Sequence, residues 1–387
     1  MFDPMCRVES VYLHWPFCPY KCHFCPFVAL AAHDQYMEQY HKALCKEVAL
    51  FAQQRTDTID LKTLFLGGGT PSTYPCDYLL DMFDRLNTVF TFTKDAEISI
   101  EVNPGTVTMQ RLETWKKVGI NRLSIGVQSL NDGVLTSLNR HQKRTDVLKL
   151  VYDADKLFEN ISIDLILGLP QVSHDEWKQT IKEVTTWPLK HISVYFLMIH
   201  ENTPLYFTVR KKQVTLPADD EVVEVYKWTV DYLHEKGFIQ YEISNFARPG
   251  YHSRHNTAYW MRVPYKGFGL GACSFDGISR FQNEKNLMKY CNNIERNQDI
   301  TFFHETLNVQ QVWIEKLMLG LRQIKGVLLS DILEDIPPDN FEHFMGRVTT
   351  LYQKGLLRKT EDGIALTYEG LAVENEIILT LSSHYNN

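Results

Sequence analysis

Between residues 10 and 200 the sequence switches repeatedly between short apolar runs and stretches with apolar residues at helical spacing. The runs are VYLHW, LKTLFL, AEISIEV, NRLSIGV, NISIDLIL and HISVYFLMI, and the helical patterns cover about 33–54, 77–89, 109–118, 147–158 and 174–186. Strands that alternate with helices of this length pair in parallel, because each next strand needs a crossover helix to come alongside. About six such units predict an α/β domain, too few to close an eight-stranded barrel.

Directly after the first apolar run stands WPFCPYKCHFCPF, which sets Cys18, Cys22 and Cys25 in a C-x3-C-x2-C array. Four cysteines would saturate a structural zinc ion or close an iron-sulfur cluster. Three leave one position empty, and on a [4Fe-4S] cluster the open iron suits a small chelator such as the amino and carboxylate groups of S-adenosylmethionine. Pro16 and Pro19 deny the loop a regular helix, while Phe17, Tyr20, Phe24 and Phe27 can wall a cluster from water. A zinc ion completed by His23 or His14 is the alternative, although zinc modules usually repeat a C-x2-C pair and no second pair occurs.

The array with its YLHWPFC lead-in resembles the radical S-adenosylmethionine superfamily. Within it the chain resembles the group that contains oxygen-independent coproporphyrinogen III oxidase and the HemW-type heme chaperones. The resemblance covers nearly the whole chain and implies a partial (β/α)6 barrel, with its site at the C-terminal strand ends. It also implies S-adenosylmethionine contacts at Tyr12, Gly68, Gly69, Thr70, Glu101, Gln128, Arg140 and Asp164, and Phe24 is counted with them.

The residues themselves agree with that in part. Gly67 to Thr70 end the second strand, and glycines there let a ligand approach the backbone. Glu101 and Asp164 interrupt apolar strands, where a carboxylate is costly unless paired. Arg140, in LNRHQ, reads equally well as surface charge, and Asn139 stands where the family usually has glycine.

The chain of 387 residues suggests a large catalytic-type domain with appended modules. The boundaries predicted are 1–215 for the barrel with its cluster loop, 216–305 for a linking helix and heme-binding segment, and 306–387 for a helical C-terminal domain. A formal charge of −7 argues against nucleic acid or an anionic membrane as partner. No apolar run is long enough to span a membrane and the N-terminus lacks an export signal, so a cytosolic protein with reduced thiols is expected. Cys6, Cys45, Cys76, Cys273 and Cys291 lack ligand spacing and read as small buried hydrophobes.

The stretch from Ile239 to Gly277 packs His252, His255, Tyr259 and Trp260 among Arg248, Arg254, Arg262 and Lys266. That mixture suits a flat aromatic dianion, with an imidazole for iron and arginines for propionates. The segment HNTAYW matches the H-N-x-x-Y-W pattern of the chaperone group, which implies heme ligation by His255, with His252 a weaker substitute. From the residues alone, His255 and Asn256 read equally as a hydrogen-bonded structural pair. YKGFGLGACS lacks G-K-[ST], so a bend that closes the open side of the barrel is expected rather than a phosphate loop.

Beyond residue 307, helices followed by a hairpin predict a winged-helix-like domain. From residue 331 onward it carries four Lys or Arg against ten Asp or Glu, which repels a phosphate backbone and predicts a cover or a protein-docking surface. Two functions fit: a heme chaperone that passes heme to acceptor proteins, or a radical enzyme of the coproporphyrinogen oxidase type. A radical enzyme acting on an unrelated substrate is a third. The oxidases carry a further cysteine two residues after the third, where this chain has Phe27, and a longer N-terminal extension, so the chaperone is favoured. Its cofactors and partners would be a [4Fe-4S] cluster, S-adenosylmethionine, heme, heme-accepting proteins, a reductant for the cluster and, in a homodimer, a second copy of the chain.

Overall fold

Each strand of the central sheet has one face of apolar side chains, such as Leu13, Leu66, Ile100, Ile125, Ile163 and Val194, none more than 1% exposed. The alternate positions are polar or aromatic: Tyr12, Thr63, Glu97, Glu101, Arg122, Ser124, Asp164, His191. Successive side chains of a strand point to opposite faces, so the sheet has a hydrophobic outer side under its helices and a polar inner side. Burying each outer Leu, Ile or Val contributes roughly 1.5–3 kcal/mol, and that row holds the helices in place.

The computed structural model describes residues 2, 6–334, 336 and 338–383. Part of the chain start read for an export signal, and Asp335 of the LLSDILEDI helix, lie outside them. Seven parallel strands run side by side in the order Tyr265–Phe268, Ser10–Trp15, Ile59–Gly68, Phe90–Val102, Arg122–Gln128, Asn160–Leu167 and His191–Phe196. The last six are the strands expected from the sequence. Helices Met37–Gln53, Cys76–Leu86, Met109–Lys117, Arg144–Asp155 and His174–Val184 connect them, close to the predicted ranges.

Antiparallel strands extend both edges. Cys273–Phe275, Ser279–Asn283 and Thr301–Thr306 follow Tyr265–Phe268 outward, while Asn245–Ala247 and Ile239–Gln240 follow His191–Phe196. Among the described residues the sheet runs from Thr301–Thr306 to Ile239–Gln240, with no pairing between these two end strands. YKGFGLGACS therefore does not close the barrel as expected. Its first four residues form a seventh parallel strand beside Ser10–Trp15, and Gly269 and Gly271, at φ +103° and +67°, turn the chain back into Cys273–Phe275.

The C-terminal part is winged-helix-like, as predicted. Helices Val309–Leu321, Leu329–Leu333 and Pro338–Gln353 pack with a three-stranded antiparallel sheet of Val327–Leu328, Gly363–Leu366 and Leu357–Lys359. Backbone bonds from Ile243 to Arg322 and from Ile324 to Tyr241 fasten it to the barrel's edge. Among the described residues no helix is long and apolar enough to cross a membrane.

Candidate cluster and cofactor site

Cys18 ends a two-residue strand, Phe17–Cys18, paired with Leu30–Ala31, and the loop then carries Cys22 and Cys25 over the strand tips. Cys18 and Cys22 are buried and Cys25 is half-buried. Two donors reach the sulfurs: the Thr70 hydroxyl to Cys18 at 3.3 Å and Arg140 Nη1 to Cys22 at 3.5 Å. Burial is the main cause that pushes the Cys18 thiol up to about 11, with Thr70 opposing it, and that raises Cys25. Such donors favour a metal-bound thiolate over the neutral thiol.

The spacing of the thiols speaks to the zinc alternative. Two thiolates on one tetrahedral zinc stand about 3.8 Å apart, given Zn–S bonds of ~2.3 Å. Among the described residues, the trio of candidate ligand atoms that closes to within 4.8 Å is His41, Cys45 and Asp81, not the three loop cysteines. At least one pair of the loop thiols therefore stands more than 4.8 Å apart. Both ring nitrogens of His14 are engaged, with Tyr12 Oη and the Val28 carbonyl each at 3.0 Å, while His23 contacts the Ser137 carbonyl through Nδ1 at 3.1 Å.

The aromatic wall is smaller than predicted. Phe17 turns into the core against Trp15, with ring centroids 4.8 Å apart, and Phe27 is 64% exposed. Tyr20 and Phe24 remain, the first bonded to Asn103, the second packed on a small cluster around Leu138 and Leu205.

Gly68 and Gly69 seat the cysteine loop. The amides of Gly69 and Thr70 donate to the carbonyls of Trp15 and Phe17 at 2.7 and 2.9 Å, and that of Gly68 to Glu101 Oε2 at 3.0 Å. A Cβ on Gly69 would stand 2.4 Å from the Pro16 carbonyl oxygen, and Gly68 adopts φ +119°. These two glycines are required by contact with the loop as much as by any ligand.

Arg140 is not surface charge. It is buried at 7% exposure, and besides Cys22 it donates to Gln142 Oε1 at 2.9 Å, to Asn103 Oδ1 at 3.1 Å and to the Gly126 carbonyl. Asn139, in place of the family's glycine, adopts φ +56° and donates to the Lys21 carbonyl at 2.9 Å. Asparagine is among the few residues that tolerate this left-handed geometry. Gln128, at φ +68° where the strand register shifts, is likewise left-handed, a strain of order 1–2 kcal/mol that collects at functional ends of strands.

Glu101 and Asp164 face each other's field on the inner side. Burial, then the neighbouring Asp164, pushes the Glu101 carboxyl up to about 8, while the Gly68 amide opposes this. Asp164, bonded to the Ser124 hydroxyl at 3.2 Å, is also raised, chiefly by burial. Two buried carboxyls of raised proton affinity form a place for a cation. Of the two residues that hold Arg140, Asn103 stands with Glu101 at the end of its strand, where polar residues of the site are expected, whereas Gln142 carries no signal in its sequence neighbourhood.

His255 lies elsewhere. HNTAYW belongs to a short helix, Arg254–Trp260, whose first amides donate to the Glu97 carboxylate at 3.0 Å. His255 is 1% exposed, stacks on Phe65, and has both ring nitrogens engaged, Nδ1 with the Thr63 hydroxyl and Nε2 with the Tyr259 hydroxyl, each at 2.8 Å. Burial pushes its pKa down to about 3, so the ring is neutral. The expected propionate cations are also occupied. Arg254 pairs with Asp95 at 3.1 Å, Arg262 with Glu315 at 3.2 Å and buried Lys266 with Glu47 at 3.7 Å, while Arg248 donates to the Leu189 carbonyl at 3.2 Å.

Residues 12–184 match the radical SAM superfamily and residues 307–373 the HemN C-terminal domain. The heme chaperone HemW of Bacillus subtilis (strain 168) is 33% identical over 373 residues, covering 96% of this chain and 98% of its own. The heme chaperone HemW of Synechocystis is 35% identical over 327 residues, covering 82% and 79%. The solved structure of Escherichia coli coproporphyrinogen III oxidase, HemN, a radical SAM enzyme, superposes with a TM-score of 0.84 at 26% identity, over 99% of this chain and 91% of its own.

Proposed function

The chain belongs to the HemW family of heme chaperones within the radical SAM superfamily, and on that premise we propose that it binds heme and hands it to heme-accepting proteins. Cys18, Cys22 and Cys25 would hold a [4Fe-4S] cluster, and Tyr12, Phe24, Glu101, Asp164, Gln128, Arg140 and the Gly68 to Thr70 turn would hold S-adenosylmethionine. When bound, the cluster supplies one iron that chelates the amino acid end of S-adenosylmethionine and, once reduced, an electron. The protein's own part is to keep two sulfurs hydrogen-bonded, to exclude water with Tyr20 and Phe24, and to present two buried carboxyls to a cationic ligand.

The observation that carries the chaperone reading is the separation of the two sites. Thr63, which contacts His255, precedes Gly68 by five residues on one strand, roughly 16 Å at the usual rise. His255 also stacks on Phe65, three residues before Gly68, so a heme iron on His255 would stand roughly 10–16 Å down the strand from the turn proposed to hold S-adenosylmethionine, whereas an oxidase would need its macrocycle against that cofactor. Ligation requires the Tyr259 hydroxyl to leave Nε2. The reading further takes a cytosolic protein, a reductant for the cluster and the acidic C-terminal domain as a docking face, for an acceptor or a second copy.

The test reconstitutes the cluster anaerobically and offers coproporphyrinogen III, S-adenosylmethionine and reductant, with heme titrated in parallel. Stoichiometric heme binding without protoporphyrinogen formation is expected. Protoporphyrinogen would reject the chaperone in favour of the oxidase, and a full cluster in Cys22→Ala would reject the ligand set.

A further inference from the structure

A second group of ligating side chains lies on the outer side of the barrel, between helices Met37–Gln53 and Cys76–Leu86. His41 and Cys45 are four residues apart on the first helix and so share one face, and Asp81 reaches across from the second. His41 Nε2 to Asp81 Oδ2 is 3.0 Å, Cys45 Sγ to Asp81 Oδ2 3.4 Å and Cys45 Sγ to His41 Nε2 3.6 Å. A tetrahedral zinc with bonds of about 2.3 Å to sulfur and 2.0–2.2 Å to nitrogen and oxygen sets its ligands about 3.4 Å (N to O) and about 3.5 Å (S to N or O) apart. The edge lengths are close to these, but Cys45 Sγ also stands 3.7 Å from His41 Nδ1 and so lies beside the ring; a turn of the Cys45 side chain would bring it to the corner beyond Nε2.

The surroundings suit an ion as well. The other nitrogen of His41 meets the buried Tyr74 hydroxyl at 2.9 Å, and the ring stacks on Tyr78 at 4.4 Å, so it is held from two sides. Arg85 Nε donates to the same Asp81 oxygen at 3.0 Å, a cation that must shift or share that carboxylate when an ion binds. All three residues line a surface groove of about 520 Å³.

We propose that His41, Cys45 and Asp81 form a divalent transition-metal site of the zinc class, with three protein ligands and one exchangeable water. Imidazole with thiolate selects against magnesium and calcium. Binding moves the His41 proton from Nε2 to Nδ1, where Tyr74 accepts it as a hydrogen bond, and sends the Cys45 thiol proton to solvent. One proton is released per ion. The proposal does not rest on the heme reading and involves none of the loop cysteines.

The full-length chain carrying Cys18→Ser, Cys22→Ser and Cys25→Ser, which removes the competing thiols, is titrated with Co(II) alone. One equivalent should bind, with a thiolate-to-cobalt charge-transfer absorption and tetrahedral visible bands that one equivalent of zinc erases and excess magnesium does not. Adding Cys45→Ser should abolish the charge-transfer band, and adding Asp81→Asn should weaken binding at least tenfold. Absence of the band in the parent, or its survival after Cys45→Ser, overturns the proposal. Should Cys45→Ser fail to fold, Asp81→Asn decides, since unchanged affinity in that folded variant overturns it too.

Discussion

Arg140 Nη1 donates to the sulfur of Cys22 at 3.5 Å while Nη2 of the same guanidinium reaches Asn103 Oδ1 at 3.1 Å. One buried side chain thereby couples the cysteine loop to the tips of the neighbouring strands. Arg140→Lys keeps the charge but loses the planar fork that serves several acceptors at once. Iron content should stay near that of the parent, because all three cysteines remain. The change that S-adenosylmethionine induces in the cluster's electron paramagnetic resonance should need roughly tenfold more ligand, and urea unfolding should reveal a loss of about 1–3 kcal/mol from buried groups left unpaired. An unchanged ligand titration would show that Arg140 does not position the site.

The glycine turn makes a sharper contrast. Alanine at Gly69 puts a methyl 2.4 Å from the Pro16 carbonyl oxygen, a backbone atom that moves only with the cysteine loop, whereas alanine at Gly346 meets nothing within 4 Å. Gly69→Ala should cut reconstituted iron and sulfide to a small fraction of the parent's. Gly346→Ala, within helix Pro338–Gln353, should leave the cluster intact and add up to about 1 kcal/mol of stability. Equal iron content in both variants would contradict the seating of the loop on Gly69.

These contrasts also mark what the sequence could reveal. Strands buried on both faces keep a recognisable apolar row even when the other row is polar, so six strands and five helices were legible, and Glu101 and Asp164 stood out as carboxyls inside those rows. Tyr265–Phe268 was not legible, because YKGF is short, is followed by glycines, and becomes a strand only by pairing with Ser10–Trp15 far upstream. The state of His255 was hidden for the same reason. Its partners Thr63 and Glu97 lie 192 and 158 residues away, and no local pattern separates an open histidine from one with both nitrogens engaged. Arg140 was ambiguous because LNRHQ has the polarity of a surface turn, while its burial depends on acceptors from three other segments.

Stability of the ligand-free protein should depend on pH through Glu101. Its carboxyl is pushed up to about 8 in the fold and ionises near 4.3 in an unfolded chain. The folded state therefore binds more protons between those values, and the group's favourable contribution, complete below about 4.3, is lost as pH rises through 8. Glu101→Gln cannot ionise and escapes that loss. The variant and the parent should melt alike near pH 4, and the variant should gain on the order of a few kcal/mol by pH 8, while binding S-adenosylmethionine more weakly. Scanning calorimetry across that range checks this; a difference that does not change with pH would remove Glu101 as its source.

Heme ligation by His255 can be tested without destroying the plug that His255 forms. His255→Ala removes a fully buried ring that stacks on Phe65 and bonds to Thr63 and Tyr259, so lost heme binding there mixes lost ligation with lost structure. Tyr259→Phe keeps the ring and removes only the hydroxyl that occupies Nε2 at 2.8 Å. That hydrogen bond contributes about 1 kcal/mol net, and it must break before iron can take the nitrogen. Removing it should tighten heme binding about fivefold, with the Soret band of a histidine-ligated heme retained. Equal or weaker binding in a folded Tyr259→Phe protein would mean that iron never reaches Nε2, and that the helix Arg254–Trp260 serves the barrel alone.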